Sequence, residues 1–159
     1  FSIHLETLGF DSTFIGLCWA LASTAEILVM LRSDKLFSRF SLENVLTFSF
    51  LIAAGRWFIL FFAKSPAVIL GSQILHAVTY GTFHMASILY IDRMAPEEVK
   101  TLGQAINNAL TYGLGLMIGF FLNGFLYEKI GSFALFGISS LIALVAGLLF
   151  RGFQMVDQK

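Results

Sequence analysis

The sequence predicts an all-α membrane protein: a bundle of five transmembrane helices with the stub of a preceding one. Three features of the chain lead there. Hydrophobic residues make up 57% of the chain and charged residues 13%, and the mean hydropathy is +0.82, far from an ordinary soluble domain. Five apolar runs, at 12–31, 43–63, 66–91, 101–127 and 133–153, each approach the ~20 residues that a helix needs to cross about 30 Å of hydrocarbon. The links between them leave no room for a soluble domain, and short links make neighbouring helices antiparallel.

The opening residues, FSIHLETLGF, lack an initiator methionine and the basic region and apolar core of a signal peptide. They read as a cut end, so a piece of a larger protein is expected, and His4 and Glu6 are given no catalytic role. Asp11 or Ser12 can cap the first span, while Ser65 with Pro66 and Ala95 with Pro96 place proline in a first turn. Every backbone polar group in lipid must be satisfied within its own segment, so these runs are helices. The links after the first and third spans carry Arg32, Lys35, Arg39, Arg93 and Lys100, and the C-terminus adds Arg151 and Lys159; the opposite links hold only Lys64 and Lys129. The positive-inside rule then expects a cytoplasmic C-terminus. Equal numbers of acids and bases argue against nucleic acid as a partner. Cys18, alone in its chain, reads as a small buried hydrophobe.

Polar residues inside the spans carry the functional reading, because a charge at mid-membrane is costly and marks a functional site by default. Glu26 lies in the first span and Arg56 in the second, where the pair can also simply lock two helices together. In the third span Gln73, His76, Tyr80, His84 and Ser87 fall on one helical stripe. The fourth repeats the pattern with Gln104, Asn108, Thr111 and Tyr112, with Asn107 at the edge. Its amides suit either cavity lining or interhelical glue, and Gly115 with Gly119 is a small-xxx-small packing signal. Counting ~1.5 Å per residue along each span groups Glu26 with His84 at one depth and Arg56 with His76 nearer the midplane. Two polar layers are expected, facing a water-filled cleft, with the titratable groups that a proton relay or ion-coupled carrier needs.

Several stretches in order resemble the C-terminal six-helix half of a major facilitator superfamily transporter. They are TLGFDSTFIGLCWALASTAEILVML, SDKLFSRFS, AAGRW, QILHA, GQAINNALTYG and GFLYEKIG. The likeness is to the lactose-permease-like branch that includes the phenylpropionate permease family, and it covers essentially the whole chain. It implies that the five spans are helices eight to twelve of a twelve-helix carrier, and that the rest of helix seven and the N-terminal bundle lie outside this sequence. The branch's proton-coupling cluster places an arginine on helix nine, matched by Arg56, and a histidine on helix ten, matched by His76. Glu26 matches the phenylpropionate branch's glutamate, one turn beyond Ser23; Thr79 stands where lactose permease has a second glutamate. Asp34, Lys35 and Arg39 resemble the superfamily's cytoplasmic gate motif, with Phe37 replacing one of its glycines.

The expectation is therefore half of a secondary active transporter that performs proton-coupled symport of a small organic solute by alternating access. Glu26, Arg56, His76 and His84 would couple protons; Gln73, Tyr80, Gln104, Asn107, Asn108 and Thr111 would line the cavity; Asp34, Lys35 and Arg39 would form the inner gate. The expected partners are the lipid bilayer, a solute, protons and the N-terminal helix bundle, in a bacterial inner membrane. A structural subunit using the same polar residues as glue is the alternative. No cofactor is expected, and two histidines eight residues apart make neither a metal site nor an enzyme's nucleophile and base.

Overall fold

The computed structural model describes residues 1–157, so Lys159 lies outside the described residues. A short helix α1 (Ser2–Thr7) ends in a turn whose tightest point is Gly9, at φ 85°. Asp11 then caps α2 (Ser12–Met30), its carboxylate accepting from the Phe14 amide at 2.8 Å. The link at 31–41 contains a one-turn helix, α3 (Ser33–Phe37), and Ser41 caps α4 (Leu42–Phe62) by accepting from the Asn44 amide.

Proline opens α5 (Pro66–Ile74), which continues through a π-helical segment (Ala77–Thr82) into α6 (Phe83–Met94). After a 3-10 turn at Glu97–Val99 comes α7 (Lys100–Asn108), a second π-helical segment (Ala109–Gly115) and α8 (Leu116–Asp157). Both π segments carry the sequence A-x-T-Y-G, as AVTYG at 77–81 and ALTYG at 109–113. The first is held open by Thr82, whose hydroxyl bonds the carbonyls of Ala77 at 3.1 Å and Val78 at 3.0 Å.

Among the described residues, four helices are long and apolar enough to cross a membrane: Ser12–Met30, Leu42–Phe62, Pro66–Met94 and Glu97–Met155. The last runs 59 residues, roughly 90 Å at ~1.5 Å per residue and far more than one bilayer core. It is interrupted at Gly131, where φ 72° and ψ 169° are values that a side chain disfavours. Side chains from 120–128 and from 132–139 line one cavity, so the limbs on either side of Gly131 lie next to each other.

The interior is small. One cluster joins Leu5, Ile15, Cys18, Leu60, Ile69 and Phe136; another joins Val45, Leu46 and Ala86, with Phe37 of the short α3 packed against it. Large apolar side chains instead point outward, among them Phe120 and Phe121 at 70% and 73% exposed, as suits a surface solvated by acyl chains. Closest packing runs between α4 and the second limb of α8. A Cβ built on Gly147 would sit 2.9 Å from Phe50 Cβ, and one on Gly137 would meet the Phe61 ring at 3.3 Å. The expected Gly115–Gly119 packing face meets no other helix among the described residues: a Cβ built on Gly119 would find nothing within 4 Å, and one on Gly115 would meet its own helix's Leu110 carbonyl. The Ser140 hydroxyl adds a 2.7 Å bond to the Ala54 carbonyl across the α4–α8 contact, and Arg93 pairs with Glu43 to join the ends of α4 and α6.

Candidate functional site

Three helices bring their polar side chains to one place. From α4, Arg56 is 3% exposed and spends its guanidinium on the helix that begins with α5. Nε donates to the Ser72 carbonyl at 3.1 Å, Nη2 to Gln73 Oε1 at 3.0 Å and Nη1 to His76 Nδ1 at 3.1 Å. The indole of Trp57 lies 4.7 Å from the guanidinium carbon. From α2, Glu26 Oε1 meets the other imidazole nitrogen, His76 Nε2, at 3.0 Å.

These contacts assign the imidazole's proton. A guanidinium can only donate, so Nδ1 must accept, and a neutral His76 then carries its hydrogen on Nε2 and donates it to the carboxylate. A doubly protonated imidazole would place N–H against N–H at Arg56. His76 is thus a neutral bridge between a buried cation and a carboxylate that do not touch. Glu26 and His76 keep 18% and 21% of their side-chain surface uncovered by this chain, whereas Arg56 is buried.

The expected two layers do not form. Glu26 bonds His76 rather than pairing with His84, and Arg56 neither touches Glu26 nor stretches to the surface. The Glu26 backbone does lie deeper than His76, beside Gly81, where an added Cβ would come within 3.7 Å of Glu26 Cα. Side chains lean toward their own helix's N-terminus, and because the first and third spans run parallel, with Trp19 beside His76 and Glu26 beside Gly81, that lean carries the Glu26 carboxylate back to His76.

His84 belongs to a second group. Its Nδ1 lies 2.6 Å from the Tyr112 hydroxyl, and the Tyr80 ring is stacked between His84, at 6.1 Å, and His76, at 5.6 Å. In a regular α-helix each four-residue step advances by about 40°, which would fan these rings apart. The wider π turn takes up that advance and keeps 76, 80 and 84 in one column. Tyr112 sits at the corresponding place in the other A-x-T-Y-G segment, edge-on to Tyr80 at 6.5 Å. That repeat was the available sequence signal for Tyr112 as a partner of His84.

Several expected lining residues are otherwise engaged. Gln73 is 0% exposed; besides accepting from Arg56 it donates to the Ile69 carbonyl and the Ser72 hydroxyl, so it does not line a cavity. Gln104 donates to the Ile88 carbonyl at 2.8 Å and Asn107 to the Ser87 hydroxyl at 3.4 Å, which makes both interhelical ties. Tyr80, Asn108 and Thr111 are exposed. Asp34, Lys35 and Arg39 make no side-chain hydrogen bond or ion pair among the described residues. Lys100 instead pairs with Glu97 at 2.8 Å and Asp92 at 3.4 Å.

Two cavities lie to one side of this chain. One of about 560 Å³ is lined by Phe1, His4, Trp57, Tyr127, Ser132 and Phe136; one of about 340 Å³ is lined by Ser49, Trp57, Thr79, Phe83 and Ser139. Neither is lined by Glu26, Arg56 or His76. His4 is a packing residue: it is 1% exposed, bonds Ser132 Oγ at 2.7 Å and sits edge-on against Phe133 and Phe136. Among the described residues no group of three or more metal-ligating side chains occurs.

A membrane bundle with a titratable chain threaded through three of its helices defines an integral membrane protein of the polytopic, transporter-like class. The chain belongs to the MFS_1 like family, whose model matches residues 1–138. It is 31% identical over 145 residues to a probable 3-phenylpropionic acid transporter of Escherichia coli K12, covering 91% of this chain and 38% of the relative. It is 29% identical over 154 residues to a maltose permease of Geobacillus stearothermophilus, covering 94% and 39%. A putative nucleoside transporter of Escherichia coli K12 is 26% identical over 114 residues, covering 69% of this chain and 27% of the relative. The chain thus spans under two fifths of the length of the relatives it matches. No solved structure matches it.

Proposed function

We propose that this chain is the proton-coupling part of a secondary active transporter that carries a small organic solute in symport with a proton by alternating access. The single observation that carries the reading is the Glu26–His76–Arg56 chain, in which a partly exposed carboxylate answers a buried arginine through a neutral imidazole. Protonating Glu26 leaves the Arg56 charge without its answer inside a membrane protein. That imbalance favours a different arrangement of the helices and so biases which side of the cavity is open. The proton site is Glu26 with His76 and Arg56; His84, Tyr80, Asn108 and Thr111 are the wall facing the solute. The solute also meets the N-terminal bundle, and Asp34, Lys35 and Arg39 meet that bundle at the cytoplasmic gate. The bilayer is a bacterial inner membrane, with the C-terminus cytoplasmic.

The relatives are named for an aromatic acid, a disaccharide and a nucleoside, so the proposal extends to a small organic solute and no further. Arg56, buried and held by three acceptors, does not serve as the anchor of an anionic solute in this conformation. Interhelical glue is the better reading for Gln104 and Asn107, whose amides bond the neighbouring helix. The test is uptake of labelled aromatic acids, sugars and nucleosides by the full-length parent in vesicles, with and without an imposed proton gradient. Uptake that the gradient accelerates supports symport; uptake of the best substrate that ignores the gradient refutes it.

A further inference from the structure

We propose that Gln73 is a positioning residue: it holds Arg56 against the Nδ1 side of His76 and thereby keeps the imidazole's proton on Nε2, facing Glu26. Its effect on transport rests on the coupling reading above; its effect on the imidazole does not.

Gln73 is fully buried and its amide has one possible orientation. The Ser72 hydroxyl donates to the Ile69 carbonyl at 2.6 Å, which leaves its oxygen lone pairs free to accept. Gln73 Nε2 donates to that oxygen at 3.1 Å and to the Ile69 carbonyl at 3.3 Å. Turning the amide over would set its carbonyl against the Ile69 carbonyl and an NH2 against a guanidinium. The carbonyl oxygen must therefore face Arg56, and it accepts from Nη2 at 3.0 Å.

Three acceptors fix the guanidinium: the Ser72 carbonyl, Gln73 Oε1 and His76 Nδ1. The first is backbone and holds only Nε. Gln73 is the side chain that sets the fork's rotation about that bond, because Nη1 and Nη2 are parts of one rigid plane. With Nη2 on Gln73, Nη1 falls on His76 Nδ1. Gln73 is also neutral, so it satisfies the fork without cancelling its charge, and the one carboxylate joined to the fork among the described residues is Glu26, on the far side of the imidazole. The groups facing His76 are Glu26 from α2, Arg56 from α4, the Trp19 indole at 6.3 Å, and Tyr80 on its own helix. None of the others competes for Nδ1.

The test is nitrogen NMR of the full-length parent in lipid nanodiscs with 15N-labelled histidine rings, the His76 signals being assigned by their loss in His76→Asn. The wild type is expected to show one neutral tautomer with hydrogen on Nε2. In Gln73→Met, of similar volume and without the acceptor, a second His76 species with hydrogen on Nδ1 is expected. Gln73→Asn, whose amide stops one methylene short, makes the same test if the methionine variant does not fold. Gln73→Glu keeps the acceptor but supplies a counter-charge, so the wild-type tautomer should persist while gradient-driven uptake is lost and solute exchange continues. Hydrogen on Nδ1 in the wild type, or an unchanged single tautomer in Gln73→Met and Gln73→Asn, overturns the proposal. Tautomers behaving as described in a carrier whose uptake ignores the proton gradient leaves the positioning role standing and removes only the coupling reading.

Discussion

Replacing Glu26 with glutamine in the full-length parent removes the one carboxylate bonded to the Arg56–His76 chain among the described residues while preserving its shape. The substituted amide can still present a carbonyl oxygen to His76 Nε2–H at the 3.0 Å now seen, so a charge-assisted bond becomes a neutral one, at a cost of about 1 kcal/mol. A buried ion that loses its partner altogether costs ~3–5 kcal/mol. Arg56 keeps three neutral acceptors, and it touches His76 rather than Glu26 itself, so the loss belongs at the low end and the variant should insert and fold. The transport consequence is larger. A proton crossing a gradient of one pH unit releases about 1.4 kcal/mol, enough for roughly tenfold solute accumulation at one proton per solute. With the proton acceptor gone, accumulation should fall to the ratio without a gradient, while exchange of labelled for unlabelled solute, which needs no net proton movement, continues. The assay is accumulation in vesicles at imposed gradients, beside an exchange assay on the same preparations. Tenfold accumulation by a folded Glu26→Gln carrier would remove Glu26 from the coupling step.

Arg56→Lys keeps the charge but not the planar fork that reaches Ser72, Gln73 and His76, so gradient-driven uptake should be mostly lost; near-normal uptake would show that charge alone suffices. Gly147→Ala places a Cβ 2.9 Å from Phe50 Cβ and should cost about 1–3 kcal/mol. Gly119→Ala has no neighbour within 4 Å and should be neutral or gain up to ~1 kcal/mol of helix propensity. Thermal melts of the two in one detergent check this, and equal midpoints would contradict the α4–α8 packing. Tyr112→Phe removes the 2.6 Å contact to His84, which should cost about 1 kcal/mol of stability and leave gradient-driven accumulation intact; lost accumulation with normal exchange would place His84 in the proton path.

What hydropathy and caps control was legible. The first span begins at the Asp11 cap, and the third starts on Pro66, because apolar length and terminal hydrogen bonding are local properties of the chain. Counting along the spans puts Arg56 and His76 at one depth, where they bond each other, whereas the Glu26–Arg56 ion pair has His76 between its members. What the stripe on the third span could not say is which of its members would be covered: Gln73 shares the face of His76 and Tyr80, yet α4 closes over it. Depth counted along helix axes put Glu26 beside His84, because such counting omits the lean of the side chain toward its helix's N-terminus. The π segments were hidden because hydropathy does not distinguish 3.6 from wider turns, although the repeated A-x-T-Y-G was in plain sight. Gly115 and Gly119 carry the spacing of a packing face, but Gly137 and Gly147 make the approach to a neighbouring helix; spacing shows that a helix can be approached and does not show by what.

The arrangement of the chain limits where a proton can sit. While Arg56 donates to Nδ1 and Nε2 already carries a hydrogen, His76 has no free lone pair, so the first proton to arrive must go to Glu26. His76 becomes protonated only if Arg56 swings off Nδ1, and the buried fork leaves three acceptors behind when it does. On the proposed reading this makes the order of events structural: carboxylate first, arginine release second, imidazole last. A simple Glu26–Arg56 ion pair would not impose that order, because protonating its carboxylate would free the arginine in the same step. Inserting a neutral imidazole between them separates proton arrival from arginine movement, and that separation is what a carrier needs if a proton is to bind on one side of the membrane without the cavity opening at once to the other.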